Sequence, residues 1–223
     1  MVPSLCQPNT SPMLSFRHHR SRVFLAALAF LSLAAALPAY IDQLSEAEVD
    51  EAYTLGQRHD QDVSKFFKAY EKLFPNVSPA MHVDRIGIRT PYYSVVLNSF
   101  LRGSIYPMSK AWTDYAANPY PFIAVVSVSL PFANPLSVDD LSKPDGQFWK
   151  QFSIELIQDR PVPARERKAR PLYSMGTDTS TITGTEMLLE YDVRDIASRM
   201  IKVQVTGPDR QPVSAEFDLD SLR

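Results

Sequence analysis

Two histidines outside the N-terminal segment, His59 and His82, are the residues best suited to acid–base catalysis or metal binding. Imidazole changes charge near neutral pH and is a common metal ligand. A zinc site needs three or four ligands at close spacing, and neither histidine has such a set around it in sequence. His59 stands beside Asp60 and Asp62, which favours a surface group at a helix junction. The sequence therefore predicts no metal ion and no cofactor.

Motifs that mark a catalytic nucleophile or a phosphate-binding loop are absent from the sequence. There is no Gly-x-Ser-x-Gly elbow, no Gly-x-x-x-x-Gly-Lys loop and no Gly-x-Gly-x-x-Gly fingerprint. The carboxylate pairs Asp139-Asp140 and Asp218-x-Asp220 are interpreted as loop or strand-end groups rather than a general acid and base. The alternative is an envelope hydrolase whose catalytic triad is assembled from residues distant in sequence. Such a triad would place one of the two histidines beside a carboxylate and a hydroxyl.

The basic segment 160–170 is the charge cluster that suggests binding. It could meet an acidic partner or an anionic surface such as lipid headgroups, although a solvated, proline-bounded loop is the simpler interpretation. A second loop, 176–184, is rich in Thr, Ser and Gly, and an apolar pair stands between the two loops. Loops on a rigid scaffold often carry recognition. The candidate partner-binding residues are four cations and this apolar pair: Arg165, Arg167, Lys168, Arg170, Leu172 and Tyr173.

Residues 1–39 have the composition of a secretory signal peptide. Three arginines and no acidic residue precede an apolar run over 23–37, and small residues follow it. Cleavage after Ala36 or Ala39 fits this pattern, and Met13 can serve as the start. These features predict a periplasmic or secreted protein.

An uncleaved membrane anchor is the alternative for the same segment. Residues 23–41 are 19 residues long, close to the minimum that spans a bilayer. In that case the protein is held at the inner membrane and the rest of the chain lies outside the cytoplasm.

Charge and cysteine content limit the function of the exported chain. Removing residues 1–39 takes away three arginines and no acidic residue, which moves the formal net charge from −2 to −5. An acidic balance of this kind argues against nucleic acid as a partner. The single cysteine, Cys6, lies in the removed segment, so the exported chain is free of disulfides.

Hydrophobic periodicity divides the remaining chain into a helical segment over 40–80 and a β-rich domain over 81–223. Helices are predicted over 44–57 and 60–74 from apolar residues at helical spacing, and Ser45 with Glu48 forms a capping box at the first of them. Thr90 before Pro91 can cap a further helix that extends to Phe100, with a strand as the alternative, and 107–117 is another short helical candidate. The run Phe122–Leu130 alternates with period two and predicts an inner strand. Together with the closing β segments, it predicts an α+β fold: a predominantly antiparallel β-sandwich, immunoglobulin-like or similar, of about six to eight strands with an N-terminal helical pair.

Three short stretches resemble a group of uncharacterised exported bacterial proteins: Glu51–Arg58, Arg89–Tyr92 and Phe217–Leu219. The similarity extends over most of the exported chain and includes no catalytic motif. The resemblance implies export and no particular activity. The functional prediction is a non-catalytic binding or structural module of the bacterial cell envelope, with an envelope hydrolase as the alternative.

Overall fold

The computed structural model describes residues 43–74, 80–131, 136–137, 147–175 and 180–222. The predicted signal or anchor segment and the acidic pair Asp139-Asp140 lie outside the described residues. No helix in the described ranges is long and apolar enough to cross a membrane.

Four α-helices occur in the described residues: α1 Glu46–Gln57, α2 Gln61–Ala69, α3 Pro91–Arg102 and α4 Met108–Ala117. Sequence signals place two of their starts. The Ser45 hydroxyl accepts the N–H of Glu48, whose carboxylate accepts the Ser45 N–H at 2.7 Å. The Thr90 hydroxyl accepts the N–H of Tyr93 at 3.1 Å, ahead of a proline at the first helical position. Such caps satisfy backbone donors that a helix leaves unpaired.

Helices α1, α3 and α4 share one apolar cluster. Its buried members are Leu44, Val49, Ala52, Tyr92, Val95, Val96, Tyr106, Ala111 and Tyr115. Helix α1 meets α3 at Gly56, where a Cβ atom would lie 2.4 Å from the Val96 carbonyl oxygen. Helices α3 and α4 are the two further helical candidates of the sequence, and they lie within the range 81–223 that the sequence assigned to the β-rich domain.

Ten β-strands form two antiparallel sheets in the described residues. The strands are β1 Glu71–Leu73, β2 His82–Arg89, β3 Phe122–Ser129, β4 Leu136–Ser137, β5 Ser153–Ile157, β6 Pro161–Val162, β7 Glu166–Met175, β8 Ser180–Tyr191, β9 Met200–Thr206 and β10 Pro212–Asp218. The six-stranded sheet has the order β1-β2-β3-β8-β4, with β7 also paired to β8. The four-stranded sheet has the order β10-β9-β5-β6. The α+β class and the antiparallel pairing are as predicted.

Strand β3 lies in the interior of the larger sheet, between β2 and β8, as its alternating pattern predicted. Four of its alternate side chains are fully buried: Phe122, Ala124, Val126 and Val128. They belong to an apolar cluster that also contains Leu156 and Val203 of the four-stranded sheet. One core therefore takes side chains from both sheets.

Three predicted boundaries are wrong. The helix predicted over 60–74 ends at Ala69, because 71–73 pair with β2 instead. The segment 160–170 is not a continuous loop, since β7 begins at Glu166, and 180–184 of the second predicted loop belong to β8. Charged residues and proline hide β7 in the sequence, and these are the residue types that protect the edge strands of sheets.

Candidate functional site

The predicted partner-binding residues lie on β7 or directly before it. Within the described chain, β7 pairs with β8 alone, so its other side is a sheet edge. Lys168 pairs with Leu188 and Arg170 with Glu186 across these two strands. Because side chains alternate along a strand, Arg167 points to the opposite face from Lys168 and Arg170. The basic cluster that is continuous in sequence is therefore divided between two faces.

Arg167 binds backbone carbonyl groups of another segment of the chain. Its Nη2 donates to the carbonyl oxygens of Trp149 and Phe152, at 2.9 Å each, and lies 3.5 Å from Met187 Sδ. These carbonyls stand at the end of the short 3₁₀ helix Phe148–Gln151 that precedes β5. Burial lowers the pKa of the Arg167 guanidinium from its ordinary value, although the group stays charged in proteins. Arg167 thus ties the edge of the larger sheet to the start of a strand in the smaller one.

Arg167→Gln is expected to lower the free energy of unfolding by about 1 kcal/mol, because it removes a charged donor from two carbonyls. Arg170→Gln is the matched control on the same strand, and its exposed side chain should change stability by less than about 0.5 kcal/mol. Urea unfolding of the two variants measures the difference. Equal effects would contradict a stabilising role for the two hydrogen bonds of Arg167.

Acidic neighbours partly neutralise two other cations of the cluster. Lys168 Nζ lies 2.8 Å from Glu166 Oε2 and 3.0 Å from Glu190 Oε1, and these carboxylates raise the pKa of the lysine. Arg165 Nη1 lies 3.7 Å from Asp192 Oδ2. Such exposed pairs contribute little to stability and remain available for exchange with a partner's charges.

Leu172 and Tyr173 are exposed on the second half of β7, at 38% and 50% of their full surface. The pairing register with β8 shifts between these two residues, and strand irregularities of this kind redirect side chains. The exposed Arg170 precedes them on the same strand. The structure therefore exposes Arg170 together with two large apolar or aromatic side chains along this edge.

A second exposed apolar set occurs at the turn between α3 and α4. Leu101, Ile105 and Met108 are 70%, 87% and 37% exposed. Both nearby cations, Arg102 and Lys110, pair with Asp114, at 3.2 and 2.6 Å. The sequence does not predict an exposed surface at this turn, because its apolar residues continue the helical pattern.

Three groups capable of hydrolytic chemistry meet at the start of β2. His82 is directly opposite Ser129 of β3, and Asp84 stands at the β-bulge between Val83 and Arg85. His82 Nε2 lies 2.8 Å from Asp84 Oδ1, and the Ser129 hydroxyl donates to the other oxygen of this carboxylate. The distances that the hydrolase alternative requires are therefore met by one of the two histidines.

The order of these groups does not suit nucleophile activation. In a catalytic triad the histidine stands between the hydroxyl and the carboxylate, so that it can take the hydroxyl proton. Here the Asp84 carboxylate stands between His82 and Ser129, and the other ring nitrogen of His82 faces the Ala80 carbonyl oxygen at 2.7 Å. The hydroxyl proton has no direct route to the imidazole.

His59 is an exposed residue in the left-handed region, with φ 51°, and its ring lies 4.5 Å from that of Phe100. Its ring packs against the C-terminal half of α3. In the parts of the chain that the structure describes, no group of three or more His, Cys, Asp or Glu side chains is placed to hold a metal ion.

Comparisons with protein-family models, curated proteins and solved structures found no match. The function is therefore inferred from the chain's own residues.

A partly buried ionic network on one face of the larger sheet was not predicted from the sequence. Arg85 lies 3.1 Å from Glu71 and 3.2 Å from Glu186, and Arg89 lies 3.5 Å from Glu186. Arg85 also donates to the Ser127 hydroxyl at 3.1 Å. Alternation of Arg85 and Arg89 on β2 was the available signal, but their acidic partners come from strands distant in sequence. Because the charges are paired, the network stabilises the sheet face rather than offering a free cation.

Proposed function

We propose that the protein is an exported, non-catalytic binding or structural module of the bacterial cell envelope. Residues 1–39 act as its signal peptide, or residues 23–41 hold it at the inner membrane. The basic, apolar and small-residue order of this segment supports export. The resemblance to exported bacterial proteins supports the same location.

The observation that carries a binding role is the open edge of β7, with Arg170, Leu172 and Tyr173 exposed along it. An extended peptide can add to such an edge through main-chain hydrogen bonds, while side-chain contacts provide specificity. The basic residues favour an acidic segment as the partner. A second copy of the same strand is disfavoured, because Lys168 and Arg170 would meet like charges.

A protective role is the competing explanation for the same residues. Lysine, arginine and proline on an edge strand prevent unwanted pairing between sheets. Leu172 and Tyr173 favour binding over protection, because protection alone gives no reason to expose an apolar and an aromatic side chain beside Pro171. The two explanations differ in whether an envelope component occupies this edge.

The finer architecture that we propose is a β-sandwich, immunoglobulin-like or similar, in which the two sheets pack face to face. The shared apolar core of the two sheets supports it. An experimental structure of the exported chain should show the two sheets stacked about 10 Å apart. Sheets that lie side by side would contradict the sandwich.

A photoreactive benzophenone amino acid at position 173 of the full chain tests the binding edge in the cells that express it. The matched control is position 73, because Leu73 is 75% exposed on β1 at the other edge of the same sheet. We expect a cross-linked adduct of defined mass from position 173 and none from position 73. The yield should fall when Arg165 and Arg170 become Gln, and also when salt is raised. No adduct, or equal adducts from both edges, would support the protective role.

The hydrolase remains a second candidate, because His82, Asp84 and Ser129 meet in one place. A serine-directed fluorophosphonate probe tests it on the purified protein. If the protein is non-catalytic, the probe leaves Ser129 unlabelled. Labelling that disappears in Ser129→Ala would establish the hydrolase instead.

A further inference from the structure

The backbone of β7 alternates between groups that pair with β8 and groups that face the open edge. The carbonyl oxygens of Arg170 and Leu172 face β8, because two threonine hydroxyls of β8 donate to them at 3.1 and 3.3 Å. In an antiparallel ladder, the hydrogen-bonding groups of successive residues point to opposite sides of the strand. The backbone groups of Arg167, Ala169 and Pro171 therefore point away from β8.

Pro171 interrupts the donors along this edge. The other two outward positions, Arg167 and Ala169, each offer a backbone N–H and a carbonyl to a new strand, whereas proline has no N–H. The register shift with β8 follows directly after Leu172, and irregularities of this kind twist an edge away from a partner. A strand added to β7 can therefore pair with residues 166–170 and must leave the edge at Pro171.

The side chains on this half of the edge define what an added strand would carry. Lys168 and Arg170 lie two residues apart on one face of the sheet. Arg170 is exposed and forms no ion pair with a described residue. Ala169 packs against the core from the opposite face. Because opposite charges on facing residues stabilise a strand pair, two acidic residues with an apolar residue between them match this edge.

We propose that the β7 edge binds a short extended segment with an acidic–apolar–acidic pattern, which pairs with residues 166–170 and ends its pairing at Pro171. The inference rests on the proposed binding role and adds the position, length and pattern of the partner segment. The exposed side chains of Leu172 and Tyr173 contact the continuation of this segment without backbone pairing. Pro171 thus protects one half of the edge strand and leaves the other half to the partner.

Two blocked heptapeptides of equal composition test the pattern on the ¹⁵N-labelled full chain. Thr-Val-Glu-Val-Glu-Val-Thr places both acidic side chains on one face of a strand, and the control Thr-Val-Val-Glu-Glu-Val-Thr places them on opposite faces. The alternating peptide should shift the amide signals of Arg167 and Ala169 most strongly and leave those of β1 unchanged. The control should bind about two- to fivefold more weakly, because it loses one charged pair with β7.

Proline substitutions test the direction of the backbone groups. Ala169→Pro removes an outward N–H, so it should fold with β8 still paired and should lose the response to the alternating peptide. Lys168→Pro is the matched control, because it removes an N–H that faces β8. Its unfolding equilibrium constant in urea should be at least about tenfold larger than that of Ala169→Pro. Pro171→Ala supplies the missing N–H and should bind the alternating peptide about fivefold more tightly.

Equal binding of the two peptides, or larger shifts at 173–175 than at 167 and 169, would overturn the inference while the proposed binding edge stands. An Ala169→Pro variant that is as unstable as Lys168→Pro, or that does not fold, would overturn the backbone direction on which the inference rests. No response to either peptide would overturn it as well. In that case, the cross-link from position 173 decides whether the binding edge itself stands.

Discussion

Gly56→Ala is expected to lower the free energy of unfolding by about 2 kcal/mol. The new Cβ would lie 2.4 Å from the Val96 carbonyl oxygen and 2.7 Å from Ser99 Cβ, so α1 and α3 must move apart. Overpacking of this kind costs about 3 kcal/mol at the upper end of its usual range. The better helix propensity of alanine returns at most about 1 kcal/mol. Thermal and urea unfolding measure the net loss.

Ser99→Ala is the control for the same helix contact and has the opposite expected sign. The Ser99 hydroxyl is buried and has no hydrogen-bond partner among the described residues. Removing it should be neutral or should stabilise the protein by up to about 1 kcal/mol. A stable Gly56→Ala variant would show that α1 and α3 do not approach as closely as Gly56 indicates.

Alkaline pH is expected to destabilise the protein by roughly 3 kcal/mol through Tyr191 alone. Burial raises the pKa of Tyr191 to about 12, from an ordinary value of 10. Each unit of difference corresponds to about 1.4 kcal/mol. Because the folded state holds the phenol proton more tightly, this stabilisation is complete below pH 10 and is lost as pH rises from 10 to 12. Burial raises the pKa values of Tyr70 and Tyr93 in the same direction.

Urea unfolding at pH 9 and pH 11.5, with tyrosinate absorbance recorded in parallel, measures the part of this loss that is complete by pH 11.5, about 2 kcal/mol. Tyr191→Phe keeps the ring in the core and should remove the share of the pH dependence that belongs to Tyr191. The tyrosinate signal that Tyr191→Phe removes should form in wild type together with unfolding rather than before it. Equal stability at the two pH values would contradict the burial of these phenols.

Local signals in the sequence predicted the elements whose stability is local. The N-cap residues Ser45 and Thr90 predict where α1 and α3 begin, because each hydroxyl accepts the N–H of the third residue after it. The period-two pattern of β3 predicted an inner strand, since both of its neighbours pack on it. In these places propensity, pattern and tertiary packing agree.

The sequence failed where pairing between distant segments decided the structure. Residues 71–73 continue a helical pattern, yet their backbone pairs with β2, and this pairing outweighs the local preference. Strand β7 contains charges and a proline that resemble a loop, and only its ten-residue pairing with β8 identifies it. Edge strands need no apolar pattern on both faces, so hydrophobic periodicity is weak there.

The candidate site was predictable in composition but not in arrangement. Arg170, Leu172 and Tyr173 are exposed, in agreement with a partner surface, whereas Arg167 turns to the opposite face and donates to the carbonyl oxygens of Trp149 and Phe152. The meeting of His82 with Ser129 depends on the register between β2 and β3, which the sequence does not specify.

Hydrogen–deuterium exchange of β7 tests the proposed binding edge most directly. The measurement compares the protein alone with its complex with the component cross-linked from position 173. We expect slower exchange over residues 166–175, because an added strand takes up free backbone groups at this edge, and unchanged exchange over β1. Unchanged exchange in β7, with protection instead at the turn containing Leu101 and Ile105, would contradict the proposed edge and place binding on the helices.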